Sequence, residues 1–400
     1  MSRQIQDAYI VAAVRTPVGK APRGMFRNVR PDDMLAHVLR GVMAQVPGLD
    51  PHEVADVIVG CAMPEAEQGM NVARIGVLLA GLPDTVPAMT INRFCSSGVQ
   101  AVALAADRIR TGDDDVVIAA GTESMSMVPM MGNKIALNNA VFEGNEHVAI
   151  AYGMGITAEN VAKQWKVSRE DQDAFAVASH QKAAKAIAAG GFKDEILPYG
   201  IETASPDLAS GNVVRRTKTA DTDEGPRADS TVESLGKLRT VFAAKGSVTA
   251  GNSSQMSDGA AAVILMSEAA MKRHGLKPLA RFVGFAVAGV PPEIMGIGPI
   301  KAIPKVLSQS GIRADQLDWI ELNEAFAAQA LAVIRTLELD PSRVNPQGGA
   351  IALGHPLGAT GAIRAATLVH GLRRSGGRYG MVTMCIGTGM GAAGLFEALH

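Results

Sequence analysis

Short apolar runs recur along the chain, separated by longer stretches whose apolar residues follow a helical period. AYIVAAV from Ala8, DVIVG from Asp56, DVVIAA from Asp115, AAVILM from Ala261, DWIEL from Asp318 and YGMVTM from Tyr379 read as strands, since each is short and rich in aliphatic and β-branched residues. The plainest helix covers 169–189, REDQDAFAVASHQKAAKAIAA, with Ser168 as N-cap, Asp171 closing a capping box and Gly190 just past the end. Strands alternating with helices predict a layered α/β architecture.

The stretch from 123 to 248 differs in texture: Met125, Met127, Met130 and Met131 cluster, followed by polar linkers, the capped helix and the charged segment VVRRTKTADTDEGPRADST. It reads as an insertion carrying loops rather than sheet. On either side of it the same order of parts occurs twice. The first strand pairs with RFVGFAVAG from Arg281, and ADVIVG from Ala55 with LDWIEL from Leu317. The helix opening at Cys95 and the strand DVVIAAGTESMS match the helix opening at His355 and YGMVTMCIGTGMG, at offsets of 260 residues from Cys95 to His355 and 262 from Asp56 to Asp318. Two similar halves are the expectation. No short-period repeat or low-complexity tract occurs.

Composition narrows the chemistry. A length of 400 residues allows two or three domains and a large core. With 47% hydrophobic but only 4% aromatic residues, 43 Gly and 19 Met, that core is built of small aliphatic side chains and close backbone contacts. The balance of 38 basic and 39 acidic side chains gives no overall field to attract nucleic acid or an anionic membrane, so an anionic ligand must be met by local charge. Three cysteines without a CxxC pair argue against a disulfide framework and for a reducing compartment. The apolar run from Ala8 to Val14 is too short to span a membrane and lacks a signal-peptide cleavage pattern, so the expected location is the cytoplasm.

Cys95, in INRFCSSGVQAVALAADRIR, opens a helix of small and apolar residues, which places a thiol at the positive end of a buried helix. Such a position is expected to lower the thiol pKa from about 8.5; a drop to about 7 raises the thiolate fraction at neutral pH more than tenfold. An inert core cysteine is the alternative, weakened by Ser96, Ser97 and Gly98, which free the backbone for close approach. His355, in NPQGGAIALGHPLGATGAIR, holds the matching position in the second half, before Pro356 at an expected first helical position and among Gly348, Gly349, Gly354, Gly358 and Gly361. A lone histidine is more often structural than catalytic, but one placed by pseudo-symmetry opposite Cys95 is a candidate partner for it.

Cys385 ends a strand and enters a glycine-rich turn containing Gly389-Met390-Gly391-Ala392-Ala393-Gly394, formally a GxGxxG. A dinucleotide site fails there, because the acidic residue due about 20 positions on falls beyond the last residue and no βαβ unit follows. Backbone N–H groups exposed beside Cys385, as in an oxyanion hole, are the better reading. Asn323 and Glu324 stand between a strand and a helix, where N-capping by Asn323 competes with function. Cys61 reads as structural. His37, His52, His147, His180, His274, His370 and His400 show no ligand spacing, and no HExxH, Walker loop or GxSxG occurs.

Taken together, NRFCSSGVQA (92–101), AAGTESMS (119–126), MGITAENVA (154–162), TAGNSSQMSDGAA (249–261), NEAFAAQA (323–330), GGAIALGHPLGATGA (348–362) and CIGTGMGAA (385–393) closely resemble the thiolases, from the first strand to the last. VAGVPPEIMGIGPIKAIP (287–304) looks most like the peroxisomal-type degradative 3-ketoacyl-CoA thiolases. Biosynthetic acetoacetyl-CoA members usually carry a histidine before MGITAEN and GGG after the last active cysteine, where this chain has Gly153 and Gly387-Thr388-Gly389. That departure points toward longer acyl substrates.

The resemblance implies a duplicated five-layered α/β/α/β/α fold with an inserted loop domain: 1–122 with 249–272 as the N-terminal half, 123–248 as the insertion and 273–400 as the C-terminal half. It implies CoA-dependent cleavage of a 3-ketoacyl-CoA to acetyl-CoA and a shortened acyl-CoA, as in fatty-acid β-oxidation. Cys95 would be the nucleophile, His355 its base and Cys385 the second acid and base. Asn323 with His355 would hold the thioester oxygen, Gly387 with Cys95 the acyl oxygen. Arg227 and Ser254 match CoA contacts; Arg215, Arg216 and Lys218 would add charge there, although a solvated charged run is the stronger reading for any one of them; Phe326 and Met154 match the substrate pocket, and the methionines at 125–131 would line an acyl groove or pack the core. No metal or permanently bound cofactor is expected; CoA is a co-substrate. A homodimer or dimer of dimers, and association with other β-oxidation enzymes, follow as expected partners. The competing readings are condensation of two acetyl-CoA molecules and a non-catalytic acyl-CoA or lipid-binding protein. Retention of Cys95, His355 and Cys385 weighs against the latter.

Overall fold

The computed structural model describes residues 5–143 and 153–400; His147 lies outside them. Strands β1 (Ala8–Arg15), β2 (Gly19–Lys20), β3 (Asp56–Gly60), β4 (Ala88–Ile91) and β5 (Val116–Ser124) are followed by a pair inside the insertion, β6 (Tyr199–Pro206) and β7 (Val213–Ala220). Then come β8 (Ser257–Ser267), β9 (Ala280–Gly289), β10 (Leu317–Leu322), β11 (Tyr379–Ile386) and β12 (Met390–Ala398). Each of the six apolar runs is a strand.

The main sheet has the order β10-β11-β12-β9-β1-β8-β5-β3-β4, with β2 beside β8. It is a palindrome of pairings about the β9/β1 junction. Outward from β1, two antiparallel pairings precede two parallel ones. Outward from β9, two antiparallel pairings precede the parallel β10·β11 pair and a parallel bridge from Ile320 to Val344. The junction is antiparallel, with Ala8 opposite Phe282, Tyr9 opposite Arg281 and Ile10 opposite Ala280. Two copies of one unit meeting edge to edge across a dyad produce this arrangement, as the repeated order of parts predicts.

Layering follows from period-two side-chain placement. In β3, Val57 and Val59 enter an outer core beneath helices Pro31–Ala44 and Val72–Leu79, while Ile58 enters a central core. That central core is filled by two helices, Ser97–Arg110 and Leu357–Ser375, packed against strands of both halves. Helices Gly298–Ser310 and Ala327–Thr336 cover the outer face of the second half. The sequence is helix, sheet, helix, sheet, helix. The central pair approach closely because a Cβ on Gly98 would sit 2.4 Å from the Ala362 nitrogen and one on Gly361 would sit 2.1 Å from that of Val99.

The insertion differs from the loop-only expectation. Its β6 and β7 pair in register from Tyr199 opposite Ala220 to Pro206 opposite Val213, a separate two-stranded ribbon whose charged, mostly exposed positions conceal it from a search for apolar runs. Helix Arg169–Ala188 stands as expected, with Ser168 Oγ accepting from Asp171 N–H at 3.1 Å and Gly190 at φ +71°. Among the described residues, no helix is long and apolar enough to cross a membrane.

Candidate active site

Both central helices begin at the same end of the dyad, and the candidate groups gather there. Cys95 lies in a 3-10 turn, Phe94–Ser96, that feeds helix Ser97–Arg110. Ser97 Oγ accepts from Arg93 N–H at 2.8 Å and donates to Phe94 O at 2.7 Å, which fixes the turn, and Phe94 takes a φ of +43°. The Cys95 side chain packs against the cluster of Ala62, Met125 and Leu357. Burial pushes its pKa up to about 11, although the N–H groups of Gly387 and of Cys95 itself act downward, and nearby Glu123 adds to the rise. The expected helix-terminus lowering therefore does not prevail. Desolvation of the sulfur outweighs the dipole, and the resting nucleophile is a thiol.

His355 is held from three sides. Its backbone N–H donates to Ser257 Oγ at 3.1 Å, Nδ1 meets Thr360 Oγ1 at 2.6 Å, and Nε2 faces Asn323 Nδ2 at 3.3 Å. Gly354, at φ +92°, brings the chain so close to Ser257 that a Cβ there would lie 2.5 Å from Oγ. Burial, reinforced by Arg364, lowers the His355 pKa to about 3, so the imidazole rests neutral. Pro356 is the N-cap rather than the first helical residue; the helix starts at Leu357.

Asn323 does not cap the next helix, since Phe326 takes that position before Ala327. Its side chain turns to His355 instead, and its Oδ1 is buried without a partner among the described residues. Glu324 next to it is buried and accepts from Ser179 Oγ at 2.7 Å, Asn345 Nδ2 at 2.8 Å and Ile351 N–H at 3.2 Å, which ties the β10 end to helix Arg169–Ala188 and to the segment before His355.

Cys385 is buried near the end of β11, in a cluster with Phe326, Ala325, Ala158, Val248 and Met295, with Met154 packed on its edge. Burial and then the neighbouring Cys95 push its thiol pKa up. The following turn is shorter than the GxGxxG suggested. It ends at Gly389, φ +89°, and Met390–Ala398 is a strand. Gly391 serves close strand-to-helix packing, where a Cβ would meet the Gly298 backbone at 2.1 Å. Of that turn, the Gly387 N–H acts on the Cys95 sulfur, drawing its pKa down against burial.

Phe326 thus shares an apolar cluster with Cys385, and Met154 packs against that cluster. Ser254 donates its N–H to Ala325 O at 2.9 Å. Arg227 is exposed, on a loop whose backbone N–H donates to His180 Nδ1 at 3.1 Å. Gln255 Nε2 donates toward Gly225 O at 3.3 Å and Ala352 O at 3.1 Å, linking that loop to the segment before His355. Arg215, Arg216 and Lys218 are exposed on β7, while Met125 is buried beside Ala62 and Leu357, and Met130 and Met131 are exposed. Sequence reading passed over Thr360, Ser257 and Glu123. Thr360, one turn into the helix that His355 precedes, carried a local signal in its hydroxyl; the other two are brought in from distant strands. Among the described residues, no group of three or more His, Cys, Asp or Glu side chains is arranged to hold a metal ion.

The thiolase N-terminal domain profile matches residues 8–269 and the thiolase C-terminal domain profile residues 276–398. The chain belongs to the thiolase family. A 3-ketoacyl-CoA thiolase of Bacillus subtilis (strain 168) is 51% identical over 394 residues, covering 98% of this chain and 100% of that protein. The peroxisomal 3-ketoacyl-CoA thiolase 2 of Arabidopsis thaliana is 48% identical over 393 residues, 98% of this chain and 84% of its own. Among solved structures, the Bacillus anthracis acetyl-CoA acetyltransferase superposes with a TM-score of 0.89 at 42% identity, with all of both chains covered. Human mitochondrial 3-ketoacyl-CoA thiolase gives 0.88 at 39% identity, covering 98% of this chain and 99% of that one. The duplicated α/β fold is therefore the thiolase fold, and the chain is an acyltransferase.

Proposed function

We propose that this thiolase cleaves 3-ketoacyl-CoA with CoA in the degradative direction, releasing acetyl-CoA and an acyl-CoA two carbons shorter. The carrying observation is that Cys95 and His355, each just before the start of one central helix, lie beside Cys385 at the end of β11, with both thiols raised and the imidazole lowered by burial. With the Cys95 pKa near 11 and that of His355 near 3, the pair rests uncharged, so proton transfer to His355 must accompany attack of the sulfur on the substrate ketone. The bond between C2 and C3 then breaks, its electron pair passing to the thioester enolate. Cys385 S–H supplies the proton that turns this enolate into acetyl-CoA. The Cys385 thiolate next takes the proton of the incoming CoA thiol, whose sulfur attacks the acyl-Cys95 thioester, and the departing Cys95 sulfur recovers its proton from His355.

Two oxygens gain charge. The N–H groups of Cys95 and Gly387, both facing the Cys95 sulfur, suit the oxygen of the group bound there; His355 and Asn323 suit the thioester oxygen of the departing fragment. Loss of one such donor typically costs about 3 kcal/mol of barrier. Arg227 and Ser254 are assigned to CoA, and Phe326 and Met154 to the acyl pocket. CoA acts as a co-substrate, with no resident cofactor. The divisions at 122/123 and 248/249 set the insertion apart, and the one at 272/273 separates the two halves.

A homodimer is the assembly best supported. Among the described residues β4 ends the sheet with one edge unpaired, and Met70, Leu78, Leu79 and Met89 expose apolar surface around it, which a second copy would cover. A cytoplasmic location and association with other β-oxidation enzymes complete the reading.

The deciding experiment mixes the protein with 3-ketohexadecanoyl-CoA without free CoA, maps adducts by peptide mass spectrometry and assays acetyl-CoA. A tetradecanoyl adduct on Cys95 with matching acetyl-CoA is the expected result. An acetyl adduct formed from acetoacetyl-CoA alone would mean a short-chain, condensing enzyme. No adduct from either substrate would mean a binding protein.

A further inference from the structure

Glu324 is buried, one residue past Asn323, and takes no part in the chemistry above. Its Oε2 accepts from Ser179 Oγ at 2.7 Å and from Ile351 N–H at 3.2 Å, and its Oε1 from Asn345 Nδ2 at 2.8 Å. These donors come from helix Arg169–Ala188 of the insertion, from the short helix Ala350–Leu353 and from the loop that leads into it. Each partner donates, so the set suits a carboxylate; burial pushes the Glu324 pKa up, and the same hydrogen bonds oppose the rise.

The stretch so gripped, 345–353, lies along the chain between the two groups assigned to the thioester oxygen. Asn345 is also locked to β10, its Oδ1 accepting from Leu322 N–H at 2.9 Å and its Nδ2 donating to Leu322 O at 2.8 Å. Gly349 N–H donates to Ser179 Oγ at 3.0 Å, so the serine hydroxyl joins this stretch to the carboxylate a second time. A Cβ on Gly349 would lie 2.1 Å from Glu324 Cδ, so the chain passes directly over the carboxylate. On one side of the clamp, Asn323 N–H donates to Thr383 O of β11 at 2.9 Å; on the other, His355 follows Ile351 by four residues. The two side chains meet at 3.3 Å between Asn323 Nδ2 and His355 Nε2. We propose that Glu324 is a positioning residue: its carboxylate sets the separation of Asn323 and His355 by fastening the end of β10 to the stretch that delivers His355. The oxygen of the departing enolate accepts from both groups at once only while that separation holds, and a misplacement of about 1 Å at such a site costs about a hundredfold.

The inference rests on Asn323 and His355 serving that oxygen, and the test separates the two claims. Wild type, Glu324→Gln, Ser179→Ala and Asn323→Ala are compared in two reactions of acetyl-CoA. Exchange of its C2 hydrogens with deuterium oxide places enolate charge on the thioester oxygen; transfer of its acetyl group to isotopically labelled CoA runs through acyl-Cys95 and places charge on the other oxygen. The amide nitrogen of Glu324→Gln must face one of the three donors, which opens the clamp. Deuterium exchange by Glu324→Gln is expected to fall about 30- to 100-fold and acetyl transfer by less than about fivefold. Ser179→Ala, which removes one contact and the bridge to Gly349, is expected to show the same split with a fall of about three- to tenfold in deuterium exchange. A folded Glu324→Gln protein in which both reactions fall by the same factor, or neither falls, overturns the inference, since a merely structural role moves the two together. Should Glu324→Gln not accumulate as folded protein, Ser179→Ala decides on the same criterion. If Asn323→Ala exchanges deuterium at the wild-type rate, the assignment of the thioester oxygen itself fails and the positioning role falls with it; if Asn323→Ala is slowed and Glu324→Gln is not, the positioning role alone fails.

Discussion

His355 Nδ1 stands 2.6 Å from Thr360 Oγ1, five residues further along the chain, while Nε2 on the opposite side of the ring faces the Asn323 amide nitrogen at 3.3 Å. The two contacts select one tautomer. With Asn323 donating toward Nε2, the ring proton sits on Nδ1 and is given to Thr360, so Nε2 is the basic nitrogen, and the Asn323 contact must give way when Nε2 takes the Cys95 proton. The first helical turn after His355 thus orients the base.

Thr360→Val keeps the shape and removes the acceptor. A fall in kcat of about 10- to 100-fold is expected, with KM changed by less than about threefold, because the imidazole is misoriented while the CoA contacts are untouched. Thr360→Ser should restore most of the loss. Steady-state kinetics of the two variants check this, and equal damage in both would assign Thr360 to packing alone.

Two buried histidines make the fold acid-sensitive. Burial lowers His355 to about 3 and His180 to about 4, against about 6.5 in an unfolded chain. Between those values and 6.5 the unfolded state binds more protons, so stability rises with pH and is lost as pH falls through 6.5 toward 4. Glu321, raised by burial to about 7, works the other way, since it is protonated more readily in the folded state. The clean measurement is therefore a difference. Urea midpoints of wild type and His355→Asn at pH 7, 6 and 5 should differ in slope by up to about 1.4 kcal/mol per pH unit, with the wild type losing more on acidification. Parallel slopes would mean that folding leaves the His355 pKa where it stands in the unfolded chain.

The apolar runs, the capped helix and the two-fold offset were legible because each rests on local periodicity and chain order, which tertiary contacts did not override. Cys95, His355 and Cys385 were legible as candidates because they open helices or end strands in equivalent places of the two halves. What escaped depends on approach in space. The Cys95 titration has the opposite direction to that read from its helix end, since the side chain packs on a cluster of Ala62, Met125 and Leu357 brought together from three segments. β12 was hidden by glycines that a turn and a close-packed strand share, and Gly298, the neighbour that distinguishes the two, is 93 residues away from Gly391. Glu123 lay inside a recognised motif, yet its four donors arrive from three separate segments.

The helix crossing at the dyad gives a substitution whose sign departs from intrinsic propensity. Glycine to alanine inside a helix usually stabilises by about 0.4–1 kcal/mol. At Gly98 the added Cβ would lie 2.4 Å from the Ala362 backbone nitrogen, so Gly98→Ala must push the two central helices apart. A loss of about 1–3 kcal/mol or more is expected by chemical denaturation. Activity should fall further than stability, because the same displacement separates Cys95 from His355. A neutral or stabilised Gly98→Ala protein would mean that the crossing is looser than these contacts require.

The insertion is fastened to the core by a buried cation. Arg15, at the end of β1, gives Nε to Glu195 at 2.7 Å, and Nη1 and Nη2 to the two oxygens of Asp223 at 2.7 and 2.9 Å. Burial opposes its charge, but Asp223 and Glu195 outweigh that and push its pKa up. Glu195 also accepts from Thr367 Oγ1 at 2.8 Å, and Asp223 from Val18 N–H at 2.8 Å, so the network joins the insertion to β1 and to the helix behind His355. Arg15→Met preserves much of the volume and strands two buried carboxylates, a change that typically costs about 3–5 kcal/mol. Because an unpaired buried carboxylate is costly only while ionised, the deficit in denaturant midpoint should shrink between pH 8 and pH 5. Limited proteolysis should cut Arg15→Met first within the insertion, leaving the two-half core as the slower fragment. If Arg15→Met melts as one unit with the wild-type midpoint at both pH values, the ion pairs do not hold the insertion in place.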